Sequence, residues 1–221
     1  MSVDRYDLLK VAAVVAGTAL LMPFDEDIRS LVMRNERPLP NSYLNVIDQF
    51  GNVIAGDVLA GSVFMYGMFA DNPKFRTTGR LMFESMALSG AVTMLFRITL
   101  GRSRPRLEEG ACDFEFFEMS EMNHSFPSRH SAVAFALASV LAERADNSWA
   151  SVGLYTLATS ASIIRLYYDQ HWATDLAVGA VIGTISGKVI HKAYESKVSK
   201  TVAANYIFYP TTDGLGFCYR F

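Results

Sequence analysis

Cysteine is almost missing from this 221-residue chain: Cys112 and Cys218 are the whole supply. Two thiols so far apart make no metal motif and at most one disulfide, which excludes both a zinc module and a disulfide scaffold. Charge is scarce as well, 19% of residues against ~25% in an ordinary soluble domain. The charges nearly cancel, leaving a net −2, so the chain lacks the clustered basic surface that nucleic acid requires. No stretch is rich enough in Pro, Gly or Ser to act as a linker, and no internal repeat divides the chain. A single domain over residues 1–221 is the simple reading.

Apolar residues are plentiful: 51% of the chain is hydrophobic and its mean hydropathy is +0.18. Six stretches stand out: Leu8–Phe24, Val53–Ala70, Leu81–Leu100, Ser131–Ala142, Trp149–Leu166 and Trp172–Ile190. Apart from the shorter fourth, they approach the ~20 residues that span a bilayer. Small residues recur in them (Gly56, Ala60, Gly61, Gly90, Gly179, Gly183, Gly187), which suits close helix approach in lipid. The expected fold is therefore all-α, a six-helix bundle that spans a membrane. The first stretch follows Lys10, but no small-x-small cleavage site comes after it. It reads as a retained helix rather than a signal peptide.

Charges inside these stretches are costly. Arg97 and Arg165 sit near helix ends, where a polar pocket can receive them, and Asp57 and Glu84 are expected to pair within the bundle. With a cytoplasmic amino terminus and six spans, every lysine falls on the cytoplasmic side, as the positive-inside bias predicts. That topology puts Cys112 outside and Cys218 inside, where they cannot pair. Between the first two spans, Asp25–Gly51 is too long for a tight turn, and its apolar spacing predicts short surface helices. The tail reads as a β-hairpin turning at Thr212, Asp213 and Gly214.

Three polar segments lie where the helices emerge, all on the outer side of that topology. The first runs from Arg97 to Arg104 and Pro105. The second is Pro127, Ser128, Arg129 and His130. The third runs from Arg165 through His171 to Asp175. His171 and Asp175 are four apart and share a helix face, so the carboxylate can accept from Nδ1–H and leave Nε2 as an oriented nucleophile. Ser128 can cap a helix whose first N–H groups point at an anion. His130, in the first turn, is placed to protonate a leaving oxygen. Arginines at 97, 104 and 165 can fork onto phosphate oxygens. Taken singly, each segment has an ordinary explanation as a helix cap or dipole partner, and Arg102 and Arg106 are read as such dipole partners. His124 and Asp169 are expected to be pocket walls or loop polar groups.

In order and spacing the three segments resemble the signature of the type 2 phosphatidic acid phosphatase / vanadium haloperoxidase superfamily: K-x6-R-P, P-S-G-H and S-R-x5-H-x3-D. This chain has Arg97-x6-Arg104-Pro105, Pro127-Ser128-Arg129-His130 and Arg165-x5-His171-x3-Asp175. The resemblance covers a core of about 81–190 and leaves 201–221 as an appended tail. Arg97 stands for the usual lysine, Arg129 for glycine and Ile164 for serine. The family uses a backbone N–H at position 129, which arginine retains, though its bulk narrows the pocket.

The resemblance implies a metal-independent phosphatase without a cofactor, acting on a lipid phosphate or pyrophosphate monoester. His171 would be the nucleophile, Asp175 its orienting partner and His130 the general acid. Arg97, Arg104, Ser128, Arg129 and Arg165 would bind the phosphoryl oxygens. It implies a bacterial inner-membrane enzyme with its site facing the periplasm. A soluble periplasmic acid phosphatase, a vanadate-dependent haloperoxidase and a non-enzymatic phosphate binder are the alternatives. The acids of 108–121 read either as a solvated loop or as a rim that overhangs the arginines and disfavours highly anionic substrates.

Overall fold

The computed structural model describes residues 14, 16–35, 41–117, 119–204, 206–211 and 214–219, with side chains through 198 apart from 41, 43 and 121. Much of the first apolar stretch (8–13 and 15) lies outside the described residues, as do Arg5, Lys10, Arg37, Glu118, the turn residues Thr212 and Asp213, and the side chain of Cys218. A helical run over 16–21 passes through a 3-10 turn at Met22–Phe24 into α1 (Asp25–Arg34), which is followed by α2 (Asn41–Asp48). The bundle helices are α3 (Val53–Phe69), α4 (Pro73–Leu100), α5 (Arg129–Ala145), α6 (Ser148–Tyr167) and α7 (Ala173–Ala204). Strands β1 (Tyr206–Thr211) and β2 (Gly214–Tyr219) pair antiparallel from Tyr206 opposite Tyr219 to Thr211 opposite Gly214, the expected hairpin. The segment after the first stretch forms the two expected short helices.

Local chemistry sets the helix ends. Asn52, Asn72 and Asn147 each accept from two backbone N–H groups of the helix that follows, supplying partners that a first turn lacks. Pro73, at the first position of α4, starts that helix eight residues before the apolar stretch begins. At its other end Gly101 takes a left-handed conformation (φ 56°), and its N–H returns to Arg97 O at 2.9 Å. A Cβ on Gly101 would also stand 1.7 Å from Glu115 O.

Helix α5 is the centre of the bundle. Its run Ser131–Val140 is buried at every position but Phe135, which explains why it reads Ala-rich rather than amphipathic. Leu137, Val133 and Val140 pack with Leu81, Met82 and Met86 of α4, while Ala134 and Ala138 meet Ala158 and Ala161 of α6. On its third side α7 lies almost in backbone contact. A Cβ on Gly183 would fall 2.2 Å from Ala132 O, and one on Gly179 would fall 2.4 Å from Ser128 O. Of the small residues noted in the sequence, Gly179, Gly183 and Gly187 form a glycine stripe that is the seam between α5 and α7.

Among the described residues, Pro73–Leu100 and Ala173–Val198 are long and apolar enough to cross a membrane. Leu44–Gly51 with Val53–Phe69, bent by 73°, adds a third such unit. Helices α5 and α6 do not meet that measure by themselves. Large apolar side chains face outward from the bundle, including Ile54, Val58 and Phe69 of α3, Leu95 and Phe96 of α4 and Ile185 of α7. An apolar surface of this kind suits lipid and not water. The expected internal pairing of Asp57 and Glu84 is not found. Glu84 meets Arg80 at 3.3 Å on the outer face of α4, and Asp57 is exposed on α3 without an ion pair to any described residue, because both faces point outward. Cys112 is exposed and free.

Gly183→Ala should destabilise the bundle by about 1–3 kcal/mol, the cost of overpacking a filled seam, read as a lower unfolding temperature in detergent. Gly153→Ala, where a Cβ meets nothing within 4 Å, should leave that temperature within about a degree.

Candidate active site

The three polar segments come together at one end of the bundle because α4 ends, α5 begins, and α6 ends next to the start of α7. Direct contacts tie them. Arg97 Nε donates to Pro127 O (3.0 Å), Arg104 Nη1 to Gln170 Oε1 (2.6 Å) and Ser128 N to Asp175 O (3.0 Å). They enclose a cavity of about 330 Å³ lined by Arg97, Arg104, Arg129, Arg165, His130 and His171. Gln170 and the α3 entry (Gly51, Asn52, Val53, Ile54) complete the wall. Six of the eight expected site residues therefore line one cavity. The other two stand behind it. Asp175 is fully buried at the back of His171, and Ser128 is buried with its hydroxyl accepting from Ser131 N at 3.3 Å.

His171 lies just before α7 and is 4% exposed. Its Nδ1 is 3.5 Å from Asp175 Oδ2 and 3.5 Å from Ser125 Oγ, so the second ring nitrogen is left for the cavity. The carboxylate contact is long because Oδ2 also accepts from Ser125 Oγ and, at 2.8 Å, from Trp172 N. Burial, reinforced by Arg97 and Arg104, outweighs the pull of Asp175 and lowers the His171 pKa from 6.5 to about 4. That shift favours the neutral imidazole at physiological pH, the form in which a ring nitrogen has a free lone pair.

Behind Asp175 sits a residue assigned above to an ordinary dipole role. Arg102 is not at the surface; it is fully buried. Its Nη1 donates to Asp175 Oδ1 (2.6 Å) and Thr174 Oγ1 (2.9 Å), its Nη2 to Asp25 Oδ2 (2.8 Å), and Nε and Nη2 both reach Ala111 O. Trp172 and Phe114 cover its faces at 5.4 and 5.7 Å from their ring centres. The helix it follows ends at Leu100 with Gly101 turning away, so Arg102 points inward and not along the helix axis. Arg106, read above as a dipole partner, lies instead in a 3-10 turn at Pro105–Leu107 beyond the helix end, exposed, with Nη2 on Met122 Sδ.

The two short helices each deliver a carboxylate. Asp25, at the start of α1, completes the Arg102 cluster and accepts from Thr174 N (3.0 Å) and Thr174 Oγ1. Asp48, at the end of α2, places Oδ2 2.5 Å from Arg165 Nη2 and Oδ1 3.2 Å from His130 Nε2. Burial lowers the His130 pKa below 6.5; Asp48 opposes that and Arg165 adds to it. Gly51 makes room for this imidazole, since a Cβ there would stand 2.2 Å from the ring. Arg29 of α1 holds Asp169 through two hydrogen bonds, at 2.7 and 2.6 Å. Asp169 is thus a loop anchor, while His124 is buried away from the cavity lining.

Of the acids in 108–121, none that is described lines the cavity. Asp113 holds Ser103 Oγ and Glu115 holds Asn123, so both cross-link the loop instead of overhanging the arginines. Asp25, Asp48, Arg102, Ser125 and Gln170 escaped the sequence reading. The signal at Asp48 was slight, a lone acid four residues before a helix-capping Asn. Among the described residues no group of three or more His, Cys, Asp or Glu side chains is placed to hold a metal.

Arg102→Met should cost about 3–5 kcal/mol, because it leaves two buried carboxylates without their cation. Adding Asp25→Asn should restore part of that loss. Thermal unfolding of both variants in detergent checks this, and an unchanged midpoint in the single variant would contradict the assignment.

Residues 79–199 match the family model described as the PAP2 superfamily. The chain is 28% identical over 181 residues to a lipid A 1-phosphatase of Porphyromonas gingivalis, covering 80% of this chain and 36% of that protein. It therefore spans little more than a third of that curated relative's length. The fold is similar to the crystal structure of Aquifex aeolicus LpxE (TM-score 0.58, 21% identity, 75% of this chain and 93% of that one). It is also similar to a transmembrane PAP2-type phosphatidylglycerolphosphate phosphatase from Bacillus subtilis (TM-score 0.56, 16% identity, 85% and 96%).

Proposed function

The chain belongs to the PAP2 superfamily, and on that footing we propose that it is a membrane-embedded phosphatase of lipid phosphate or diphosphate monoesters. The observation that carries this reading is one cavity in which two histidines meet four arginines. We read 1–221 as a single domain with its core at 81–190 and an appended tail at 201–221. It would sit in a bacterial inner membrane with the cavity facing the periplasm.

The phosphoryl group rests between Arg97, Arg104 and Arg165, with the backbone N–H of Arg129 at the start of α5 on the same anion. His171 Nε2 attacks phosphorus, the P–N bond forms as the ester P–O bond breaks, and His130 gives its proton to the departing oxygen. Water then attacks the phosphohistidine, His130 takes the water's proton, and the P–N bond breaks to release phosphate. Asp175, held by Arg102 from behind, keeps the His171 ring oriented and offsets the positive charge that grows on it. The arginines supply the countercharge that a metal ion would otherwise provide.

An apolar groove of about 570 Å³ runs from the cavity along α3, lined by Ile54, Ala55, Val58 and Leu59. It shares Asn52 and Ile54 with the cavity wall. That continuity favours a lipid substrate over the small soluble esters of a periplasmic acid phosphatase, and the lipid A 1-phosphatase relative agrees with it.

Detergent-purified protein in excess EDTA should release phosphate from a short-chain phosphatidate faster than from p-nitrophenyl phosphate. His171→Ala should lower that rate by at least 10³-fold, in line with loss of a covalent nucleophile. No release from any ester by folded protein would sink the reading. Asp48→Asn should test the acid. Without that carboxylate the His130 pKa falls further, so the alkaline limb of the kcat/KM profile should move to lower pH. An unmoved limb would show that Asp48 does not hold the proton.

A further inference from the structure

Three of the four cavity arginines are committed to acceptors of the protein itself: Arg97 to Pro127 O, Arg104 to Gln170 and Arg165 to Asp48. Arg129 differs. It makes no hydrogen bond or ion pair with any described residue, its side chain is exposed, and it still lines the cavity. It also stands where the family signature has glycine, so its guanidinium is an addition to the shared phosphoryl site. An exposed arginine on an open surface needs no explanation, but this one is a five-donor fork beside a pocket lined by cations and no carboxylate.

Its place in the reaction follows from its neighbour. His130, the next residue in the first turn of α5, is the group that faces the leaving oxygen, and both side chains line the same cavity. The other three arginines already serve the transferred phosphoryl, so this additional guanidinium is left for charge on the leaving group. The lipid leaves along the wall beside His130, where Asn52 and Ile54 open onto the apolar groove. A neutral alcohol leaving group offers this guanidinium nothing. A second phosphoryl offers it a forked partner.

Resting on the phosphatase reading above, we propose that Arg129 binds a second anionic phosphoryl on the leaving side, making the substrate a lipid whose head carries two phosphoryl groups. For a diphosphate monoester, the terminal phosphoryl passes to His171 Nε2 and the bridging P–O bond breaks. The electron pair stays on the bridging oxygen, and the lipid monophosphate departs with its charge held by Arg129. A phosphodiester farther along the head group would be held in the same way.

The test compares kcat/KM for two probe pairs on the full-length protein in detergent. One pair is farnesyl diphosphate and farnesyl monophosphate; the other is a short-chain phosphatidylglycerol phosphate and the matching phosphatidate. Arg129→Gly, which restores the family residue, should lower the preference for the doubly phosphorylated member by on the order of 10-fold or more, as expected for loss of a charged hydrogen-bonding partner. Arg129→Lys should keep part of that preference. A drop in the farnesyl pair alone assigns the diphosphate, and a drop in the glycerol pair alone assigns the phosphodiester. An unchanged ratio in both pairs overturns the proposal. Binding of methylenediphosphonate against methylphosphonate, by calorimetry, reads the same contact without turnover. If the wild type hydrolyses nothing, a diphosphonate preference lost in Arg129→Gly still supports the second-anion site while the phosphatase reading falls. Equal binding by both proteins overturns the site itself.

Discussion

One fully buried cation, Arg102, organises the cavity end of the bundle. Taking a guanidinium fully out of water is costly, and the structure offsets that cost with two carboxylates, a carbonyl and two aromatic faces. Those partners come from four places: Asp25 of α1, Ala111 and Phe114 of the loop after α4, Trp172 next to His171, and Asp175 of α7. Satisfying one charge thus locks α1, the loop after α4 and the start of α7 into one arrangement. The His171 ring inherits its orientation from that lock, since the carboxylate beside Nδ1 is the one Arg102 holds from behind.

The bundle beneath imposes a second constraint. Helix α5 is surrounded, so it can carry little besides small residues, and α7 approaches it so closely that Gly179 and Gly183 have no room for a Cβ. The close approach has a chemical consequence. It brings the start of α5 against the start of α7, where Ser128 N bonds to Asp175 O. Packing of small residues in the middle of the bundle therefore sets the distance between the two histidines at its end.

The short helices α1 and α2 turn out to be part of the site and not a cover over it. Each ends or begins on a carboxylate that pairs with a cation at the cavity end of the bundle, Asp25 with Arg102 and Asp48 with Arg165. Their positions in the sequence, 77 and 117 residues from those partners, made the pairing invisible beforehand. The two helices were expected; what they deliver was not. A similar lesson applies to Asp57 and Glu84, where a charge in an apolar stretch suggested an internal partner and the helix simply turned that face outward.

What the sequence by itself determined was whatever repeats along the chain or signals locally. The apolar stretches, the Asn and Ser caps, the glycine stripe and the hairpin all act within a few residues, through helix period, backbone hydrogen bonds and turn chemistry. The spacings from Arg97 to Arg104 and from Arg165 through His171 to Asp175 belong to the same class, because helix ends present those residues together. Tertiary structure alone decided which charges face each other across the fold. It buried Arg102, set Asp48 beside His130, drew Ser128 and Asp175 behind the cavity wall and left Arg129 on that wall without a partner among the described residues. Charge pairing in a low-dielectric interior depends on distance in space, to which separation along the chain gives no guide.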